Sequence, residues 1–533
     1  MPRNIGSVVL LILVGLVAVL FQVSRKPPLT SLNQVQGRNN TALFIINVLG
    51  GLHNAQLATI QSLREKHPHI EVHVMSWATI EPKVKRLFDR GDEKGSDDAA
   101  AAAVRFHALT GQGYVEAVFE SAESSISDIT DLIAPPTVAG WFQIGHSIQA
   151  WMSPWSGPAY LDLMREMGAA MDRIDPAVVM LDTFIWPGID AARERRRLHA
   201  FITPNMVADN FAFQQPWLGG YWKFPPVGSN LPFPVPWSVV PRNILHALVM
   251  RYMFSWTPKL RAIKAYLHEH AAGSIDLYNI KGPDNTPWIT QTLPGASIPL
   301  DYIPPNVTCV GPLFLSSPPA AEQDPELAAW LHQDNTSTVL VNLGGSVTYD
   351  EQRAEAFTKA LSSLLDSRPG LQVLWKFQKA RTADYAEEET FRKIGQRHLE
   401  SGRLRIVNWL DVDPIALLET GRVAAFVHHG GSGSYHEGIA AGVPHVVLPL
   451  WADHYNIASL VEHLQVGVYG CKASSPEWNA ECLAEDIARV IDESDASRTL
   501  RRRAEELRRI AQASPGRDGA ARIVAQLAGS GHA

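Results

Sequence analysis

The segment Val423 to Ala441, VAAFVHHGGSGSYHEGIAA, constrains the fold more than any other stretch of the chain. An apolar run of β character ends in a glycine-rich turn and is followed by a helical segment, Tyr435 to Ala441. A strand, a glycine turn and a helix in that order cradle an anion, because the glycines admit close backbone N–H groups and the helix start offers unpaired donors. Alone, the motif reads equally as a tight strand-to-helix connection. His429, at the strand end, adds a side-chain donor for a diphosphate, and Glu437, one turn into the helix, an acceptor for sugar or ribose hydroxyls.

The same alternation recurs along the chain. Ala42 to Val48 has a buried-strand pattern, followed by a Gly-Gly-Leu-His turn, a helical stretch Ala55 to Lys66 and a second strand Ile70 to Trp77. That is a βαβ unit and implies a parallel sheet. It puts His53 at the carboxyl edge of the first strand, and the run Ala177 to Leu181 ends with Asp182 at the same edge, where open α/β sheets bind ligands. Singly, His53 reads as a polar loop residue and Asp182 as a helix cap; together they face one crevice. Alanines 99 to 103 predict the start of a helix. After the Ser316-Ser-Pro-Pro linker a second alternation begins: Thr338 to Ser346 as strand and glycine turn, Glu351 to Leu365 as helix, then strands Leu371 to Lys376, Leu404 to Trp409 and Pro444 to Leu450. The C-terminus, about Ser497 to Leu527, reads as arginine-rich helix with solvated faces. The fold class is therefore α/β, with two Rossmann-like halves, 41–312 and 326–533, joined by a linker at 313–325.

Residues 1–40 read as an anchor and linker. Ile5 to Val23 is an apolar run of about 19 residues, the length a membrane-spanning helix needs, and no small-residue cleavage site precedes Arg25. A net charge of -7 and the lack of a nucleic-acid motif exclude a basic nucleic-acid binder. Cys309, Cys471 and Cys482 are odd in number and suit neither a disulfide framework nor a metal cluster, which favours a cytosolic face. Against that, Asn39, Asn306 and Asn335 head glycosylation triplets. Gln214 to Lys264 is aromatic and prolyl, and suits a greasy acceptor mouth, a membrane surface or a wrap over the domain's own core.

On these residues the chain resembles the inverting, UDP-sugar-dependent glycosyltransferases of the two-domain GT-B fold. The resemblance rests on Trp409, Leu417-Leu418, Phe426, His429, Gly431, Ser434, Glu437, Gly442-Val-Pro444 and Asp453, at the spacings of that family's nucleotide-sugar signature. It implies that Trp409 stacks on uracil, that His429 and the backbone of Gly431, Gly433 and Ser434 hold the diphosphate, and that Glu437 binds the ribose. It also implies that Asp453 holds the donor sugar, with His454 where the family has glutamine, and that Ser346 lies near the phosphates. His53 falls where the family carries its catalytic base, and Asp182 where it carries that base's partner. Asp411-Val-Asp413 reads as solvated.

The expected activity is transfer of a hexose, glucose by default, from a UDP-sugar to a hydroxyl of an apolar small molecule, with no metal and no cofactor beyond the co-substrate. The alternatives are a transferase or epimerase of the UDP-N-acetylglucosamine type, or a nucleotide-sugar-binding membrane protein without catalysis. The expected partners are the donor, the acceptor and, through residues 1–40, a membrane.

Overall fold

The computed structural model describes residues 34–88, 104–121, 132–255, 257–272, 286–345, 347–381 and 383–531. The expected anchor, the helix at Ala99 to Ala103 and Ser346 lie outside the described residues. Among the described residues no helix is long and apolar enough to cross a membrane.

Two parallel sheets organise these residues. The first holds seven strands in the order β3-β2-β1-β4-β5-β6-β7: β1 (Arg38–Ile45), β2 (Glu71–Trp77), β3 (Val104–Leu109), β4 (Pro176–Leu181), β5 (His199–Thr203), β6 (Trp288–Thr290) and β7 (Val307–Cys309). The second holds six in the order β10-β9-β8-β11-β12-β13: β8 (Ser337–Asn342), β9 (Leu371–Lys376), β10 (Leu404–Val407), β11 (Val423–His428), β12 (His445–Val447) and β13 (Gly467–Tyr469). Helices cover both faces of each sheet, so central strands are buried on both sides. The runs Ala42–Ile45 and Val339–Val341 are apolar without alternation for that reason. Ala42 sits opposite Val72 on one side and Val178 on the other, which aligns the carboxyl ends of β1, β2 and β4.

Several boundaries move by a few residues. The first helix starts at Gly50, so His53 stands in its first turn and not in a loop. The helix after β11 runs Ser432–Ala441, beginning directly at the glycine turn. Another difference is long-range. The last helix, Gly516–Ala528, expected with the second half, packs on the first sheet, where Ala520, Val524 and Ala528 join Ala42, Phe44 and Val178 in one core. Its apolar face matches the helix Gly50–Lys66 and the β1/β4 surface, and its charged face pairs with the same helix: Asp518 accepts from Ser62 Oγ at 2.7 Å, and Arg517 pairs with Glu65 at 3.2 Å.

Candidate active site

On the second half, Gly431 is the N-cap of the helix Ser432–Ala441, with φ -62, ψ 140 and no side-chain cap, so the first-turn N–H groups, including those of Gly433 and Ser434, stay open to a ligand. Gly430 holds φ +94, a left-handed turn that reverses the chain between β11 and this helix. His429 lies between two glycines. A Cβ at Gly431 would come 2.5 Å from its Nε2 and one at Gly344 2.7 Å from its Cε1. Its Nδ1 is buried without a hydrogen-bond partner, and its ring meets His454 edge-on at 4.7 Å. Burial and Lys376 push His429 down to about 4, so at neutral pH it is an uncharged imidazole that can donate one hydrogen bond.

The other residues singled out in the second half of the sequence are placed as follows. Glu437 is pushed up to about 8 by burial and by Asp413, and Asp453 up to about 6 by burial. His454 is buried with Nδ1 unpartnered and is held well below the ordinary histidine range by burial and by His429. Trp409 is 59% exposed, and the Lys376 ammonium lies 4.2 Å from its ring centroid. Lys376 thus occupies one face of the Trp409 ring, and a planar base stacking on Trp409 would take the opposite face. Lys376 and Asp209 belong to this region and were not singled out by motif. Asp209, from the first half, is pushed up to about 7 by burial and by Asp453 across the cleft.

On the first half, the β1 end and the helix start bring His53 over Asn47. His53 is buried, its Nδ1 lies 3.1 Å from the Asn47 carbonyl, and its Nε2 lies 2.9 Å from Lys83 Nζ. Asp182 does not touch the imidazole. Its carboxylate accepts from Asn47 N–H at 3.0 Å and Phe184 N–H at 2.6 Å, so Asn47 stands between acid and base. Burial raises Asp182 to about 7, and burial together with Lys83 lowers His53 to about 3. The expected direct pair is therefore replaced, in this state, by a chain of contacts through one residue.

Side chains also lock the halves together. Ser432 Oγ donates to the Pro204 carbonyl at 2.5 Å and receives Gln291 Nε2 at 3.1 Å. Asn456 accepts from Gly228 N–H at 2.9 Å and donates toward the carbonyls of Pro225 and Pro226, so it clasps the aromatic segment instead of facing a sugar. In that segment Trp217 and Trp237 are 89% and 76% exposed, and Trp237 stacks on Trp222. Asp413 is exposed but not merely solvated, since it accepts from Ser317 Oγ at 2.6 Å. One expectation is overturned: Cys471 and Cys482 form a disulfide, because the turn after β13 leads back to the helix Ala480–Ile491 and brings their Cα atoms to 5.3 Å. Cys309 is the remaining free thiol. Among the described residues no group of three metal-ligating side chains converges.

Two facing α/β halves with a glycine-turn cradle on one and a buried histidine on the other define a GT-B glycosyltransferase. The fold matches a UDP-glucose:anthocyanidin 3-O-glucosyltransferase in complex with UDP, at a TM-score of 0.61 and 13% identity, covering 93% of this chain and 100% of that one. It also matches the glycotransferase of kitacinnamycin at a TM-score of 0.56 and 15% identity, covering 91% and 98%. Residues 392–527 match the model of the erythromycin biosynthesis protein CIII-like C-terminal domain. The glycosyltransferase sdnJ of Sordaria araneosa is 31% identical over 456 residues, 84% of this chain and 86% of that protein. Nuatigenin 3-beta-glucosyltransferase of Solanum aculeatissimum is 30% identical over 186 residues, 33% of this chain and 35% of that protein. The chain belongs to the UDP-glycosyltransferase family.

Proposed function

We propose that the protein transfers a hexose from a UDP-sugar to a hydroxyl of an apolar small molecule with inversion, and needs no metal or cofactor besides the donor. The observation that carries this reading is the uncapped helix start after Gly431, whose first residue, Ser432, donates from Oγ at 2.5 Å to the Pro204 carbonyl of the half that carries His53. In the reaction, His53 Nε2 takes the acceptor proton as the oxygen attacks the anomeric carbon, and the sugar–phosphate bond breaks with its electrons leaving on UDP. The open N–H groups after Gly431, the helix dipole and His429 stabilise the departing diphosphate. Glu437 holds the ribose, Asp453 and His454 the sugar, Trp409 the base, and Ser346 the phosphates. The exposed Trp217 and Trp237 support an apolar acceptor or a membrane surface, to which Ile5 to Val23 would attach the protein.

The test is UDP release from a panel of UDP-sugars, with acceptor extracts followed by mass spectrometry, in the full chain and in His53→Ala. Transfer from a UDP-hexose that vanishes in the variant is expected. Absence of UDP binding at millimolar concentration would overturn the reading.

A further inference from the structure

The side chain nearest the reactive nitrogen of His53 is not Asp182 but Lys83, from the helix Glu81–Phe88. Its ammonium lies 2.9 Å from His53 Nε2 and donates to Asn54 Oδ1 at 2.6 Å. The contact settles the tautomer. Asn47 offers His53 Nδ1 a carbonyl, which only accepts, so Nδ1 carries the hydrogen and Nε2 of the neutral ring keeps its lone pair. An ammonium has no lone pair, so Lys83 donates to Nε2. The place where an acceptor hydroxyl must lie for its proton to reach the base is thus held by the chain's own cation.

We propose that Lys83 is a positioning residue for the acceptor: it presents the Nε2 lone pair to the cleft and transfers its hydrogen bond to the acceptor oxygen when the hydroxyl takes its place. The proposal rests on the glycosyl-transfer reading. During the step the hydroxyl proton moves to Nε2, the oxygen–anomeric carbon bond forms, and the anomeric carbon–phosphate oxygen bond breaks with its electron pair leaving on UDP. Lys83 stays protonated, and its charge stabilises the negative charge gathering on the attacking oxygen. Afterwards two cations stand side by side, the imidazolium and the ammonium, and their repulsion returns the proton to solvent. Asn47 faces His53, Asp182 reaches it only through Asn47, Asn54 accepts from Lys83, and Arg86 and Asp413 act on Lys83 from its own helix and from the opposite half. Burial lowers Lys83 to about 8, so the ammonium form predominates at neutral pH.

The experiment compares the full chain with Lys83→Met and Lys83→Arg. With a turned-over donor and acceptor, Lys83→Met is expected to lower kcat/KM about tenfold or more and raise the acceptor KM, with UDP affinity unchanged, while Lys83→Arg recovers part of the loss. The acid limb of kcat/KM moves to higher pH in Lys83→Met, because a positive neighbour is gone. Independently of activity, the ring ¹⁵N signals of His53, assigned by their loss in His53→Gln, keep the Nδ1–H tautomer held by Asn47 in Lys83→Met and titrate at higher pH. An unchanged titration and pH profile would overturn the proposal, as would a loss of UDP affinity equal to the loss of rate, which would make Lys83 a donor residue. If the wild type turns over no UDP-sugar, the transfer reading fails, and the ring signals still decide whether Lys83 sets the state of His53.

Discussion

Asp182 is fully buried yet accepts two backbone N–H groups, and this divides its role between holding the β1–helix turn and supporting His53. Replacing it with asparagine leaves one of those N–H groups facing an amide NH₂, so Asp182→Asn is expected to cost about 1–3 kcal/mol of stability besides slowing transfer. His53→Ala removes the proposed base together with its contacts to Asn47 and Lys83. It should lower kcat by roughly 10² to 10⁴ while UDP binding, measured by calorimetry, stays as it is. Asp209 supplies a pH signature. Its pKa rises from an ordinary carboxyl value to about 7 in the folded protein, so the folded state holds this proton more tightly than the unfolded one. That contribution is complete below the ordinary carboxyl range and is lost as pH rises through about 7. Denaturation midpoints of Asp209→Asn should accordingly gain on the wild type as pH is raised from 4 to 8, and a difference independent of pH would count against the assignment.

The glycine turns and the disulfide act through whole elements. At Gly344, φ is +86 and an added Cβ would lie 2.7 Å from His429, whereas Gly431 has an ordinary φ and only the ring to displace. Gly344→Ala is therefore expected to lose about 1–2 kcal/mol of stability as well as UDP affinity, and Gly431→Ala mainly affinity, as thermal unfolding and calorimetry would separate. The bond between Cys471 and Cys482 closes a short loop, so Cys482→Ser should lower stability by roughly 2–3 kcal/mol, and a reductant should shift the melting temperature of the wild type but not of the variant. Most strands and the cradle helix were readable in the sequence, since buried parallel strands leave long apolar runs and the glycine turn marks where one ends. Lys83, Asp209 and the disulfide were not readable. Each takes its meaning from a partner on another element: Lys83 from His53 across the β1–β2 edge, Asp209 from Asp453 across the cleft, and Cys471 from a helix whose entry angle no local pattern reveals.

For the whole molecule, the contacts of Ser432 with Pro204 and Gln291, of Tyr435 Oη with the Ala296 carbonyl at 2.7 Å and of Tyr455 Oη with the Ala134 carbonyl at 2.8 Å bind the second half to the first. The helix Gly516–Ala528 is part of the first half's core, so ending the chain at Ser514 uncovers Phe44 and Val178. Such a truncation is expected to destabilise the first half by several kcal/mol and to reduce soluble yield, which limited proteolysis would locate in residues 34–310. The two-sheet layout was legible because each half repeats the strand–turn–helix order, but the return of the last helix was not, since an amphipathic pattern does not say which core it will cover.

That return has a geometric consequence. The chain leaves the first half near Val310 and comes back at Pro515, and the two passages touch, for a Cβ on Gly516 would lie 2.4 Å from the carbonyl oxygens of Gly311 and Pro312. Gln36 Nε2 also donates to Ser530 Oγ at 2.6 Å, so the early and late ends of the described chain are side by side. Topologically, the second half is an insertion carried within the first on a pair of adjacent tethers. A circular permutant joined between residues 36 and 530 should therefore keep the fold.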